Sequence, residues 1–288
     1  MTNIIVARTL RSDDEINALV GKRVERDDYV AHLTGDVAVF APNGKLAARC
    51  IPQAIPKDVA DRCRPWLRSL QKALTTNRGE YSGVAPRRRV RADGTLSDTA
   101  ESVAVPSAVA GFMDRMGGRF PYCRPCALNR GSGWARFAPF AQVVSDHFRR
   151  ALPDRWQRQM DEARKCDPAW LIPGTPFSTI TVNNTFPAAC HRDAGDYKEG
   201  FGCIAVLRRG RYDGAWLGFP RYRAAFDLQD RDLLLFDPHE VHGNTKFTDP
   251  KGEARKDWER ISIVFYLRSR MRDCGSPEQE LKRARTTK

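Results

Sequence analysis

Ala189-Cys190-His191-Arg192-Asp193 sets an imidazole and a carboxylate two residues apart. In extended backbone residues i and i+2 project to one side, so His191 and Asp193 can face the same metal ion. A third donor is available at His242, in Val241-His242-Gly243-Asn244, just past an apolar run that reads as a strand. Two imidazoles and one carboxylate on one face of an octahedral ion leave three positions open, the donor set of non-haem Fe(II) oxygenases. Alone, the His-x-Asp triplet has little weight, because a surface histidine beside an aspartate is the ordinary explanation. The order of the remaining parts adds to it: a strand pair, a strand leading to His242-Gly243, then Arg260-Ile261-Ser262 opening the last strand. An oxygenase using 2-oxoglutarate needs a cation for the distal carboxylate of that co-substrate, and a guanidinium suits such a partner. His147, among apolar neighbours, reads as a packed histidine instead.

Such groups need a scaffold to aim them. From residue 177 the chain shows short β-rich runs between Gly, Pro and Asp turns, predicting strands at 177–184, 201–208, 215–220, 223–228, 232–237 and 260–268. Their spacing suggests a sandwich or jelly roll, and the loops between them leave no room for the helices of a parallel βαβ sheet. Val59, Cys63, Trp66, Leu67, Leu70 and Leu74 recur at helical spacing, predicting a helix over 57–77. A second helical stretch over 139–165 is expected to break at Pro153. The rest of the first half reads as mixed and irregular, with a long basic loop over 78–106. The expected fold is α+β: a double-stranded β-helix (jelly-roll, cupin-like) core with N-terminal helices packed against it. Its expected parts are an N-terminal region, 1–110, belonging to the same catalytic unit, a core over 111–272, and a basic C-terminal tail over 273–288 whose end, 281–288, is expected to be a disordered arm.

The 288 residues are 41% hydrophobic and carry a formal charge of +13. That balance attracts polyanions, of which DNA is the abundant one. The basic residues cluster at Arg87, Arg88, Arg89 and Arg91, at Arg208, Arg209 and Arg211, and at Arg268, Arg270 and Arg272. The first cluster is expected to hold phosphates. No apolar run approaches the ~18 residues of a membrane span, and the start lacks the basic-then-apolar order of a secretory signal. The expected compartment is the cytoplasm, a bacterial or phage-infected one included, and no protein partner can be inferred. Eight irregularly spaced cysteines then read as reduced thiols. Cys123 and Cys126 have zinc-knuckle spacing without a second pair, so a turn with two ordinary thiols is expected there.

Several segments carry a resemblance. HRDAGDYKEGFGCIAVLRRG, beginning at His191, resembles the metal-binding segment of the TET 5-methylcytosine dioxygenases, and VHGNT followed by ERISIVFYLRSRM is similar to their closing strand. LGFPRY and DLLLFDPHEVHGNT resemble the J-binding-protein thymine hydroxylases as well. The resemblance covers residues 177–271 and is loose in the N-terminal half, through CRPCALNRGSGW, in the manner of a shorter phage-like or protist-like branch. It implies His191, Asp193 and His242 as iron ligands, Arg260 as the 2-oxoglutarate clamp and Ser262 as its neighbour. Asn183 has two readings, a contact to the co-substrate or a side chain satisfying a strand end. His239 is the rival distal ligand, and His242 is preferred because a His-Gly dipeptide follows the strand in that family. Asp196 stands where the vertebrate TET pattern has an amide, as in shorter relatives that direct such an aspartate at the base. Arg268 stands where the TET branch places a base-contacting histidine. Tyr222, Tyr266 and Phe219 are candidate ring platforms for a flipped base.

The implied activity is an Fe(II)- and 2-oxoglutarate-dependent dioxygenase using O2 to hydroxylate the 5-methyl group of 5-methylcytosine in DNA, giving 5-hydroxymethylcytosine by base flipping. The alternative base is thymine, giving 5-hydroxymethyluracil, since an ionised Asp196 can accept from either base. Two further readings are oxidation of a protein side chain or small metabolite, and a DNA-binding module without activity.

Overall fold

Near-continuous apolar runs in the C-terminal half pair into a sheet with two buried faces, and N-terminal strands extend it. The computed structural model describes residues 2–70, 73–75, 82–83, 87–90, 93–101, 103–115, 120–129, 132–249 and 257–286. In chain order the strands are β1 (Asn3–Val6), β2 (Ala31–Leu33), β3 (Val37–Phe40), β4 (Leu46–Ile51), β5 (Arg87–Val90), β6 (Leu96–Glu101), β7 (Ser107–Met113), β8 (Arg124–Pro125) and β9 (Thr179–Asn184). They continue as β10 (Gly202–Arg209), β11 (Asp213–Gly214), β12 (Leu217–Phe219), β13 (Ala224–Phe226), β14 (Leu233–Phe236), β15 (Gly243–Asn244), β16 (Phe247–Thr248) and β17 (Glu259–Tyr266). The helices are α1 (Asp13–Asn17), α2 (Lys57–Ser69), α3 (Ser132–Ala151), α4 (Pro153–Ala163) and α5 (Pro277–Thr286).

The major sheet runs β1-β3-β4-β14-β10-β17-β9-β7-β8, and a minor sheet runs β15-β12-β13-β2. At its centre β10 lies antiparallel to both β14 and β17, and β17 lies antiparallel to β9. Side chains alternate between the two faces of these strands. Cys203, Ala205, Leu207, Ile261, Ile263, Phe265, Ile180 and Val182 form the outer face, buried with Leu67 of α2 and Phe137, Phe140 and Val144 of α3. Phe137, Phe140 and Phe265 stack there with ring centroids 5.2 to 6.0 Å apart. Truncating one such ring to alanine costs about 3–5 kcal/mol. On the inner face Ile204, Val206, Leu234 and Phe236 meet Leu217, Phe219 and Phe226 of the minor sheet. This is the jelly-roll arrangement with helices on one side.

Four expectations change. The first 51 residues are not irregular: β1, β3 and β4 extend the major sheet and β2 pairs with β13 in the minor one. Those strands are three to six residues long, too short for periodicity to register. Instead of one long basic loop, β5 and β6 form an antiparallel hairpin; the side chains of Arg87, Arg88, Arg89 and Arg91 lie outside the described residues. The tail is helical over α5, anchored by the buried Glu280, which accepts from Arg115, the Cys123 and Gly275 N–H groups and Arg283. Cys123 pairs with Cys274, 151 residues away, in a disulfide, so neither two free thiols nor a zinc pair with Cys126 describes that turn. Pro153 does divide the second helical stretch: α3 ends at Ala151 and Pro153 begins α4, where its missing N–H has no helical partner to lose.

Candidate active site

The inner face turns polar at one end. There β9 and β17 present Thr181, Asn183, Ser262, Val264 and Tyr266, and with residues 191–196, Phe236, His242 and Arg268 they line a cavity of about 330 Å³. That size is at the small end of ligand pockets. The segments holding its histidines are zipped together: His191 and His242 exchange both backbone hydrogen bonds, at 2.9 and 3.0 Å, and the Asp193 N–H donates to the Pro238 carbonyl. Gly243 makes the close approach possible, because a Cβ there would lie 2.9 Å from the Cys190 nitrogen and 3.0 Å from its Cα.

The result is a cluster in which one donor atom each of His191, Asp193 and His242 lies within 4.8 Å of the others. Each histidine Nε2 is 3.5 Å from a different oxygen of Asp193. The Nδ1 atoms lie 2.8 and 2.9 Å from the carbonyls of Ala189 and Glu240. Since a carbonyl only accepts, Nδ1 carries the hydrogen in both rings, which directs the Nε2 lone pairs at the space beside Asp193. Burial opposes a charge on His242, but the hydrogen bond and attraction of Asp193 outweigh it and raise its pKa. The donor set therefore suits a cation. His239 is elsewhere, bound to Asp237 at 3.3 Å, and does not join the cluster.

Arg260 lies on the same face of β17 as Ser262, roughly 7 Å further along. It does not line the cavity; it is buried, near Tyr212, Arg208 and Asp227, and burial lowers its pKa. Its Nη2 has no hydrogen-bond partner among the described residues. A buried donor left in that state costs about 1–3 kcal/mol, which a carboxylate reaching in from the cavity would recover. Both findings fit the residues present to Fe(II) and 2-oxoglutarate. Asn183 lines the cavity with its amide oriented by Ser107, whose Oγ donates to Oδ1 at 2.7 Å.

Asp196 and Arg268 line the cavity together, opposite one another in an antiparallel bridge. Tyr266 lines it too, its hydroxyl 3.2 Å from Thr181 Oγ1. Tyr222 is not brought there: it packs in the inner core with its hydroxyl toward Glu240, as the turn at Pro220 directs it away. Phe219 is likewise core, not platform. Two contributors escaped the sequence reading. Thr181 could have been found, two residues before Asn183 on one strand face. Asp114 could not, since its partner Arg268 is 154 positions away.

Residues 115–269 match the Tet_JBP family, described as the oxygenase domain of the 2OGFeDO superfamily. The chain is 30% identical over 264 residues to "Thymine dioxygenase JBP1" of Trypanosoma brucei brucei, covering 91% of this chain and 28% of that protein. It is 32% identical over 297 residues to "Thymine dioxygenase JBP1" of Leishmania infantum, covering 98% of this chain and 33% of that protein. It thus spans no more than about a third of the length of these curated relatives. The solved structure "NgTET1 in complex with 5mC DNA" is similar in fold, with a TM-score of 0.58 and 13% identity, covering 99% of this chain and 91% of that one. The extent of the family match, over more than half of the chain, leads to one conclusion: this protein belongs to the Tet_JBP family, with residues 115–269 forming an oxygenase domain of the 2OGFeDO superfamily.

Proposed function

We propose that this dioxygenase hydroxylates the 5-methyl group of thymine in DNA, with the base turned out of the duplex into the cavity. The observation that carries the reading is the cavity itself, which is lined both by the His191–Asp193–His242 cluster and by Asp196 with Arg268. One group of residues suits a metal, and the other suits the polar edge of a heterocycle. Thymine is placed ahead of 5-methylcytosine because relatives about 30% identical over most of this chain bear the name thymine dioxygenase. The net charge of +13 supports a polyanionic substrate, and no helix among the described residues is long and apolar enough to cross a membrane.

When bound, Fe(II) with 2-oxoglutarate and O2 supplies the power to replace a C–H hydrogen by hydroxyl. His191, Asp193 and His242 would hold the metal through Nε2, a carboxylate oxygen and Nε2. Arg260 would bind the distal carboxylate of the co-substrate, with Ser262 and Asn183 beside it. Asp196 accepts from the ring N–H of the base, and Arg268 donates to a carbonyl oxygen. Phe236, Val264 and Ile204 line the cavity with apolar surface and limit water there.

The test is nucleoside mass spectrometry of unmodified and 5-methylcytosine-bearing duplexes incubated with the protein, Fe(II) and 2-oxoglutarate. The expected product is 5-hydroxymethyldeoxyuridine from both. Oxidation of 5-methylcytosine alone would reverse the order of bases, and turnover on protein extracts but not on DNA would remove the proposal.

A further inference from the structure

Asp114 follows β7 and is buried, 2% exposed. Its Oδ1 accepts from Arg268 Nε at 2.7 Å, the Arg268 N–H donates to Ser178 Oγ, and the guanidinium lines the cavity. Arg268 faces Asp196 in a bridge flanked by two backbone hydrogen bonds, Tyr197 to Leu267 at 2.8 Å and Ser269 to Gly195 at 3.0 Å. That is the non-hydrogen-bonded type of antiparallel pair, in which opposed side chains stand closest. Left to themselves, a guanidinium and a carboxylate so placed would bind each other. Asp114 supplies a competing carboxylate on the Nε side, fixes the guanidinium plane and leaves the terminal N–H groups for the cavity.

We propose that Asp114 is a positioning residue for substrate selection: it holds Arg268 as a fixed donor beside the Asp196 acceptor, so that the two together read the edge of a pyrimidine base. The proposal rests on the DNA-base reading above. Arg268 has donors only and an ionised Asp196 acceptors only, so the pair demands a ligand edge with both a carbonyl and an N–H. Pyrimidine bases have such an edge; an aliphatic side chain has none. Removing Asp114 leaves a buried guanidinium without its main partner. Asp196, opposite Arg268 in the bridge, then competes for the guanidinium, and an Arg268 turned toward it no longer presents its terminal N–H groups to a base.

The readout is oxidised pyrimidine formed per succinate on duplex DNA, with KM for DNA measured separately. Asp114→Ala is expected to lower the ratio and raise that KM roughly tenfold or more, and Asp114→Asn, which keeps the shape and an acceptor oxygen, less so. Arg268→Ala is expected to match the double variant, since both substitutions disable one unit. An unchanged ratio in Asp114→Ala, or additive losses in the double variant, overturns the assignment. So does loss of 2-oxoglutarate affinity and thermal stability in step with product, which makes Asp114 a residue of the fold only. An unmutated chain that forms succinate but no oxidised pyrimidine removes the DNA reading itself, and this proposal falls with it.

Discussion

At the scale of single residues, the cluster makes a strict distinction between two histidines three positions apart. His242 Nε2 faces Asp193 at 3.5 Å, whereas His239 is committed to Asp237. His191→Ala, Asp193→Ala and His242→Ala are each expected to lower Fe(II) affinity and turnover by roughly a hundredfold or more, since losing even a group that only orients a ligand costs about 10–100-fold. His239→Ala should retain both, as read by metal titration and succinate formation; an inactive His239→Ala beside an active His242→Ala would invert the ligand assignment. Arg260 has a different signature. Its orphan Nη2 is expected to find its partner in the co-substrate, so Arg260→Ala should raise the KM for 2-oxoglutarate roughly 10–100-fold while the metal still binds. An unchanged KM would move the clamp to another cation.

At the scale of elements, the ligands depend on two segments lying close, and Gly243 controls that distance. A Cβ at residue 243 would strike the backbone of Cys190 and Ala189, so β15 would have to move away from the His191 segment. Gly243→Ala is expected to weaken Fe(II) binding roughly tenfold or more although every ligand is intact, an effect of the order seen when groups that orient ligands are lost. Metal titration with circular dichroism as a control for folding checks it, and wild-type affinity would show that the segments can separate without cost. In the sequence His242-Gly243 stands only as a resemblance; the structure supplies the reason for the dipeptide. Elsewhere, the longer strands from 177 onward were legible because they are buried on both faces and so read as continuous apolar runs between turn residues. β1 to β4 were not, since part of their burial comes from strands most of the chain away, β13 beside β2 and β14 beside β4.

At the scale of the whole molecule, Glu280 ties α5 to Arg115 and Cys123. Burial alone would raise its pKa, but Arg115 and the Cys123 and Gly275 N–H groups outweigh it and hold the pKa down at about 2, from 4.5. A carboxylate depressed on folding stabilises above its unfolded pKa and loses that contribution as pH falls through the folded one. The contribution, about 3 kcal/mol by linkage, should thus be complete at neutral pH and fade from about pH 4.5 to 2. Glu280→Gln is expected to lower thermal stability at pH 7 and to flatten its acid dependence in that window; equal slopes in the two proteins would count against the anchor. The sequence by itself determined what is local or periodic: the His-x-Asp pair on one side of an extended segment, the β-rich runs from residue 177, the break at Pro153 and the basic charge. Tertiary structure decided what depends on approach across the chain. It took Tyr222 and Phe219 into the core, joined Cys123 to Cys274, turned a supposed loose tail into an anchored helix and brought Asp114 to Arg268. The physical reason is that periodicity reports which face of an element is buried, whereas the identity of the group buried against it is fixed only when distant strands close on one another.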